Sequence, residues 1–246
     1  MKMKKLMVAL AAAALLAGCA KKDETLKMIT EATFPPYEFL RGQEIVGIDV
    51  EICKAVAAKL GRAFAVESVN FDSVIPTVIS GKADLAAAGI TVTEDRKKNV
   101  DFSVPYVKTG VVFVYKKATP YAKGADAKGK KVGVQSGTTS EAFVTDELKQ
   151  QPERFDSPAA AVAALKAGRV DVVIADIDPA KNCVKGEADL AISDFITTEE
   201  YAVAIRKGQP ELLKAINETI AELKADGRLA KWVADYTAEA DRLKEK

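Results

Sequence analysis

Histidine is absent from the 246-residue sequence. Imidazole is the commonest general base and the commonest metal ligand in proteins, so no catalytic or zinc site that needs it is available. Cysteine is nearly absent too, and the spacing of Cys19, Cys53 and Cys183 matches no zinc motif. The sequence therefore predicts no metal site and no cofactor. We expect Cys53 and Cys183 to be buried thiols in separate regions, with a disulfide between them as the alternative.

An excess of charge of one sign is also missing. The chain has 36 lysines and arginines against 35 aspartates and glutamates, a formal net charge of +1. Three of the lysines lie in the first 18 residues, whose removal leaves 33 basic residues against 35 acidic ones. Nucleic-acid-binding proteins carry a basic patch or stripe, and none is present here. We expect no nucleic-acid partner.

Long apolar runs are missing after the first 18 residues. Three lysines precede an apolar run over residues 6–17, which is the plan of a secretory signal and is shorter than the roughly 20 residues of a membrane span. Leu16-Ala17-Gly18-Cys19 resembles a bacterial lipobox. We expect residues 1–18 to be a lipoprotein signal peptide and residues 19–25 a polar tether, with Cys19 acylated, for example by palmitate. A plain signal peptide that contains a cysteine is the alternative.

This leader predicts the location of the protein. Two or more acyl chains suffice for stable membrane anchoring. We therefore expect an exported protein that is lipid-anchored to the cell membrane and faces the periplasm or the cell exterior.

Strand and helix patterns alternate from Leu26 onward, which is typical of an α/β protein. Gly81-Lys82-Ala83-Asp84-Leu85 is echoed by Gly168-Arg169-Val170-Asp171-Val172, each between an apolar helix and a buried strand. The echo favours two lobes of similar plan with largely parallel sheets. The alternative is that one common α/β connection occurs twice.

Local signals predict where several elements begin. We expect Asp49 to cap a helix that continues to Gly61, and Asp72 or Ser73 to cap the next helix, with Pro76 near its first turn. Residues 201–205 read as one strand, followed by an amphipathic helix.

Candidate binding residues follow two of the predicted strands. Ligands of open α/β sheets bind beyond the carboxyl ends of strands. Gly89, Thr91 and Arg96 follow the first strand of the echo, and Asp176 follows the second. A guanidinium that faces a carboxylate suits a zwitterion with its own carboxylate and ammonium. The turn at residues 136–140 adds backbone N–H groups near the same negative charge.

Seven stretches, in order and spacing, resemble the polar amino-acid solute-binding proteins of ABC importers (extracellular solute-binding family 3). Within that family, the sequence is similar to the glutamine-, histidine- and lysine/arginine/ornithine-binding proteins. The resemblance covers residues 26–237 and rests on Phe34-Pro35-Pro36-Tyr37-Glu38-Phe39, Gly47-Ile48-Asp49-Val50-Glu51, Phe71-Asp72-Ser73-Val74-Ile75-Pro76, Ala88-Gly89-Ile90-Thr91-Val92-Thr93-Glu94-Asp95-Arg96, Asp101-Phe102-Ser103-Val104-Pro105-Tyr106, Gln135-Ser136-Gly137-Thr138-Thr139 and Val172-Val173-Ile174-Ala175-Asp176.

The resemblance implies a two-lobe, periplasmic-binding-protein-like fold of type II with a hinged cleft. It also implies that the chain crosses between the lobes twice, near residues 106–112 and 196–202. Lobe 1 would then contain residues 26–108 and 200–246, and lobe 2 residues 109–199. We expect a monomer that delivers its ligand to a cognate ABC permease, whose ATPase is a separate chain because this sequence has no phosphate-binding P-loop.

The same resemblance implies the roles of the site residues. Arg96 and the backbone amides of Thr91 and Thr139 would hold the α-carboxylate of an amino acid. Asp176, the Gly89 carbonyl and the Thr91 hydroxyl would hold its α-ammonium. The rest of the predicted ligand-binding set is Phe34 and Phe71 as apolar walls, Thr138, Glu31 and Gln135. As alternatives, Phe71 could be a core residue, and Arg96 could pair with Glu94 or Asp95 on the surface.

Ligand selectivity depends on positions beyond this common clamp. A carboxylate at Glu31 would favour a cationic side chain such as that of arginine or lysine, and Gln135 could hydrogen-bond a polar side chain. Ala175 replaces a histidine of the glutamine binders, and Thr139 replaces a glycine, which argues against glutamine.

Two other functions are compatible with the sequence. A cyclohexadienyl dehydratase-like enzyme on the same scaffold could use Glu31 or Asp176 as a general acid, and an amino-acid-sensing receptor would need a partner protein. We expect a binding protein and no enzymatic activity.

Overall fold

The computed structural model of the protein describes residues 25–244. Cys19, the predicted signal peptide and all but the last residue of the predicted tether lie outside the described residues. Within residues 25–244, none of the helices combines the length and the apolar content that a membrane span requires.

Two sheets covered by helices form two lobes, and a small hairpin sheet extends the first lobe. The chain starts in lobe 1 with β1 (Thr25–Thr30), β2 (Thr33–Phe34), β3 (Glu38–Arg41), β4 (Glu44–Val46), α1 (Ile48–Lys59), β5 (Ala63–Ser68), α2 (Phe71–Ile79), β6 (Leu85–Ala86), α3 (Glu94–Lys97) and β7 (Val100–Phe102). Lobe 2 follows with β8 (Val107–Lys116), β9 (Val132–Gln135), α4 (Thr139–Ala142), β10 (Glu153–Phe155), α5 (Pro158–Lys166), β11 (Val172–Asp176), α6 (Ile177–Val184), β12 (Leu190–Ile192) and β13 (Thr197–Tyr201). The chain returns to lobe 1 with β14 (Ala204–Arg206), α7 (Pro210–Ala225) and α8 (Arg228–Lys244).

The two main sheets have matching strand orders, β5-β1-β6-β14-β7 in lobe 1 and β10-β9-β11-β8-β12 in lobe 2. In each sheet the first three strands are parallel, whereas β14 and β8 run antiparallel to their neighbours. The prediction of largely parallel sheets is therefore wrong. Both sheets are mixed because β8 and β14 enter directly from the other lobe, without the crossover helix that a parallel pair needs.

Two antiparallel strands carry the chain between the lobes. β8 and β13 pair from Val111 with Thr197 to Val107 with Tyr201. The two predicted crossings correspond to these strands, and the two-lobe α/β fold is confirmed. The predicted lobe boundaries, at residues 108/109 and 199/200, fall inside β8 and β13 and stay predictions.

The sequence echo is also a structural one. Each copy has a glycine in the left-handed region after its helix, Gly81 with φ 74° and Gly168 with φ 72°. The following aspartate then accepts a backbone hydrogen bond from the neighbouring strand. Oδ2 of Asp84 accepts from N of Lys27, and Oδ2 of Asp171 accepts from N of Lys131, both at 2.9 Å. Both lobes thus use the same joint between helix and sheet.

Three local predictions are wrong. Helix α1 has Gly47 at its N-cap, so Asp49 lies in the first turn with its side chain in the core. Helix α2 begins after Asn70, which places Pro76 in its interior. The strand predicted over residues 201–205 is divided between β13 and β14, because the chain passes from one sheet to the other there.

Separate apolar clusters fill the two lobes. In lobe 1, α1 and α7 pack together over the sheet, with Ile52 and Ile216 fully buried between them. Burial of one such side chain stabilises the fold by about 1.5–3 kcal/mol. Cys53 belongs to this cluster and Cys183 to a cluster of lobe 2, so both thiols are buried, in different lobes.

Candidate ligand-binding cleft

A narrow cavity lies between the lobes. It is lined by nine of the ten residues predicted to bind ligand, namely Phe34, Phe71, Gly89, Thr91, Arg96, Gln135, Thr138, Thr139 and Asp176. The tenth, Glu31, is a buried neighbour of Gln135. The fold therefore brings the predicted set together, while the role of each residue stays a prediction.

Arg96 extends from lobe 1 to lobe 2. Thr93 caps α3 by accepting from the Arg96 N–H, and Nη1 of Arg96 donates to the Thr91 carbonyl at 2.8 Å. Nη2 donates across the cleft to the Gly137 carbonyl at 3.0 Å, and the guanidinium lies 5.5 Å from the centre of the Phe71 ring. Burial lowers the pKa of Arg96, while the charges of Glu199 and Asp176 oppose that change.

The alternative partners of Arg96 are engaged elsewhere. Glu94 pairs with Lys97 at 2.8 Å and Asp95 with Lys98 at 2.6 Å on the exposed side of α3. Arg96 is therefore directed towards the cleft.

Asp176 supplies the opposite charge from lobe 2. It is the last residue of β11, and the hydroxyl of Tyr201 donates to its Oδ1 at 2.5 Å. Burial, followed by the charge of Glu199, raises the pKa of Asp176 to about 7, against the Tyr201 hydrogen bond and the Arg96 charge. Its ionisation is thus poised near neutral pH and sensitive to any charge placed in the cavity.

Glu199 is a site residue that the sequence did not indicate. The Thr91 hydroxyl donates to Oε2 of Glu199 at 2.5 Å, so the lone pairs of the Thr91 oxygen remain available to accept from another group. The only sequence signal is strand alternation, which puts Glu199 on the same face of β13 as the buried Tyr201.

Glu31 and Gln135 meet at one end of the site. Oε1 of Glu31 accepts from the Thr33 hydroxyl at 2.6 Å, and Oε2 accepts a long hydrogen bond of 3.4 Å from Nε2 of Gln135. Nε2 of Gln135 also donates to the Asp156 carbonyl at 3.0 Å. Burial raises the pKa of Glu31. A carboxylate and an amide from opposite lobes therefore come together next to the cavity.

Aromatic rings form the wall on the lobe 1 side. Gly89 has φ 55°, and a Cβ atom there would lie 2.7 Å from Cε1 of Phe34, so only glycine fits without displacement of that ring. Tyr37 packs edge-on against Tyr201 at 5.1 Å, and its hydroxyl donates to Asp178 of lobe 2 at 2.7 Å. These contacts join the lobes beside the cavity.

The 136–140 turn has its own hydrogen bonds. The Thr138 hydroxyl donates to the Gln135 carbonyl at 2.7 Å and accepts from the Glu141 N–H at 3.3 Å. Thr138 therefore shapes the turn, and Thr139 opens α4 at the edge of the cavity.

Two lobes, a pair of connecting strands and a charged cavity between them define a small-solute binding protein of the two-lobe class. Comparison with known proteins is more specific: the chain belongs to the bacterial extracellular solute-binding proteins, family 3, which it matches over residues 26–239. The predicted family is therefore confirmed.

Individual relatives are amino-acid-binding proteins of ABC transporters. The chain is 33% identical over 238 residues to a putative ABC transporter arginine-binding protein 2 of Escherichia coli, covering 92% of this chain and 95% of the relative. It is 33% identical over 229 residues to the L-cystine-binding protein TcyJ of the same species, covering 88% and 86%. The solved structure of a Streptococcus pneumoniae amino-acid ABC transporter substrate-binding protein bound to L-arginine has a TM-score of 0.82 and 35% identity, covering 89% of this chain and 97% of that one.

Proposed function

We propose that the protein captures a cationic amino acid, with L-arginine as the first candidate, between its two lobes. The observation that carries this proposal is the charge around the cavity. Glu31, Asp176 and Glu199 are acidic, and the positive charge of Arg96 acts on Asp176 and Glu199. An amino acid with a cationic side chain has a net charge of +1 and so offsets part of this acidic excess, and the arginine-binding relatives support the same ligand.

The α-groups of the ligand would be held by the common clamp. Arg96, with the backbone amides of Thr91 and Thr139, would bind the carboxylate. Asp176, the Gly89 carbonyl and the Thr91 hydroxyl would bind the ammonium, with the hydroxyl proton directed to Glu199. Burial of a zwitterion is costly unless each charge is paired, so both halves of the clamp are needed.

Lobe closure would follow from this division of the clamp. The cation comes from lobe 1 and the anion from lobe 2, so a ligand satisfies both only when the lobes are together. Arg96–Gly137 and Tyr37–Asp178 are direct contacts that the lobes make in that arrangement.

A binding screen tests the proposal. Thermal shift and calorimetry against the twenty amino acids should give the largest stabilisation with arginine or lysine, because a ligand of the folded state raises its stability. Glu31→Gln should weaken the binding of cationic ligands more than that of neutral ones, whereas the exposed Glu44→Gln serves as a matched control. A screen in which only neutral amino acids bind would contradict the cationic proposal.

We also propose that the protein is exported, anchored through acylated Cys19, and delivers its ligand to an ABC permease. Labelled palmitate should enter the wild-type protein and not Cys19→Ala, which should leave the membrane fraction. Uptake of labelled ligand should require the protein together with its permease and ATPase. Binding without any effect on uptake would favour a sensory receptor.

One observation favours the enzymatic alternative. A pKa of about 7 at Asp176 suits a general acid. Incubation with prephenate or arogenate separates the two functions: a binding protein forms no aromatic product, while product formation that is lost in Asp176→Asn would identify a dehydratase.

A further inference from the structure

Two carboxyl groups are buried beneath Gly89, outside the proposed clamp. Glu38 in β3 and Asp49 in α1 are both 0% exposed, and their two carboxyl groups lie next to each other. Two ionised carboxylates in contact inside a protein repel each other strongly and also lose their hydration. The pair therefore needs a physical explanation.

Three of the four carboxyl oxygens of the pair lack a hydrogen-bond donor. Oδ2 of Asp49 accepts from the Gly89 N–H at 2.9 Å and from the Tyr106 hydroxyl at 2.7 Å. For Oδ1 of Asp49 and both Oε atoms of Glu38, residues 25–244 provide no donor other than a proton on the pair itself. An O–H on Glu38 that donates to Oδ1 of Asp49 satisfies two of these three atoms, whereas all three would remain unsatisfied without that proton.

The surrounding groups favour that proton. The charges that act on Glu38 are those of Asp49, Glu31 and Asp176, all acidic, and Tyr37, Tyr106 and Cys53 also lie near the pair. Burial together with these charges raises the pKa of Glu38 well above its usual range, and burial raises that of Asp49 to about 6. These effects favour the state in which Glu38 keeps its proton and Asp49 is ionised.

The acceptor oxygen of this pair holds the binding segment. The N–H of Gly89 is bonded to Asp49 while its φ of 55° is fixed against the Phe34 ring. Segment 89–91 begins at this bond, and it contains the Gly89 carbonyl and Thr91 hydroxyl proposed to accept from the ligand.

We propose that Glu38 and Asp49 share one proton at neutral pH and act as positioning residues that hold segment 89–91 for the ligand ammonium. The second half rests on the proposed function. The first half concerns the protein alone and is tested without ligand.

The proton is tested by unfolding in urea at pH 6.5, 7.5 and 8.5. In Glu38→Gln the amide donates to Asp49 with no proton to lose on unfolding. The folded wild type retains a proton that its unfolded state releases. Its equilibrium constant for unfolding, divided by that of the variant, should therefore rise about tenfold for each unit by which the pH is increased. For the exposed control Glu44→Gln, the ratio of its unfolding constant to that of the wild type should not change with pH. The same result for Glu38→Gln would overturn the proposal.

Carbon-13 NMR of the wild type labelled at its glutamate carboxyls adds a test that needs no variant. One protonated glutamate should persist at pH 7.5, and the absence of any would overturn the proposal.

The positioning role is tested by ligand affinity in folded variants. Asp49→Ala removes the Gly89 acceptor and should raise the Kd at least tenfold, whereas Asp49→Asn keeps an acceptor and should restore it. Tyr106→Phe removes the other donor to the same oxygen and should leave the Kd within twofold while lowering the Tm. If Asp49→Ala does not fold, Asp49→Glu displaces the acceptor and makes the same test.

The outcomes are distinguishable. A folded Asp49→Ala or Asp49→Glu variant with wild-type Kd overturns positioning. Failure of the wild type to bind any amino acid overturns the proposed function and leaves the proton test intact.

Discussion

Lobe 1 and lobe 2 contain the same joint between a helix and a buried strand. In each, a glycine ends the helix, and an aspartate accepts a hydrogen bond from a backbone N–H. Asp84 accepts from Lys27 in β1, and Asp171 accepts from Lys131, the residue before β9. Beyond the joint the lobes differ. The strand of lobe 1 leads to a neutral loop and then to Arg96, whereas the strand of lobe 2 ends on Asp176 itself.

This difference shows how one framework can present opposite charges. The matching strand orders bring both strand ends to the cleft, so the proposed clamp for a zwitterion would need only different residues after each strand. The groups that support the two strand ends differ as well. Tyr201 donates to Asp176, while a buried carboxyl pair lies beneath the loop of lobe 1.

Removal of either charge should have the largest effect. Arg96→Ala and Asp176→Ala should each weaken ligand binding by about 2–5 kcal/mol, because the ligand group left behind is buried without a partner. Calorimetry measures the loss, with exposed Lys97→Ala as the lobe 1 control and partly buried Glu153→Ala as the lobe 2 control. Wild-type affinity in either variant would show that the lobes do not share the clamp.

Substitutions at two glycines, one in each region, distinguish the role of the binding loop from that of the joint. Gly168→Ala at the joint adds only backbone strain, since nothing lies within 4 Å of its Cβ position, and should cost about 1 kcal/mol of stability without changing affinity. Gly89→Ala adds the contact with Phe34 and should cost about 2–4 kcal/mol in total, with weaker binding. Thermal unfolding and calorimetry check both, and equal effects would argue against a special role for Gly89.

Acid should weaken binding through lobe 2. The pKa of Asp176 is about 7 without a bound ammonium, and an ammonium favours the ionised form. Protonation of the free protein as the pH falls through 7 therefore opposes binding, by up to about 1.4 kcal/mol per pH unit below that value. The Kd should rise between pH 8 and 5.5 in the wild type and less steeply in Asp176→Asn. A flat wild-type profile would contradict the assignment.

The joints themselves should affect stability alone. Asp84→Ala and Asp171→Ala each leave a strand amide without its acceptor, at a cost of about 1–2 kcal/mol. The Asp84 variant should lose slightly more, because Asp84 also pairs with Arg62 at 3.0 Å. Urea unfolding should show both losses with unchanged ligand affinity. Weaker binding in either variant would mean that the joint reaches the site.

The sequence predicted what depends on neighbouring residues. The Gly-Lys/Arg-x-Asp echo and the alternation of strands and helices follow from local signals, and both are present in the structure. Glu199 and Asp49 could not be assigned in this way. Glu199 reaches Thr91 only because β13 passes between the lobes, and Asp49 is buried only because Gly89 and Tyr106 meet above it. Such contacts depend on long-range packing rather than on any local pattern.

The central claim is that opposite charges from two equivalent strand ends bind the two α-groups of one amino acid. Calorimetry with the tightest-binding amino acid, its decarboxylated amine and its deaminated acid tests this claim directly, on the wild-type protein. The account predicts that loss of either α-group weakens binding at least a hundredfold, as expected when a buried Arg96 or Asp176 is left unpaired. If the amine or the acid binds within threefold of the parent amino acid, the two-charge clamp is contradicted.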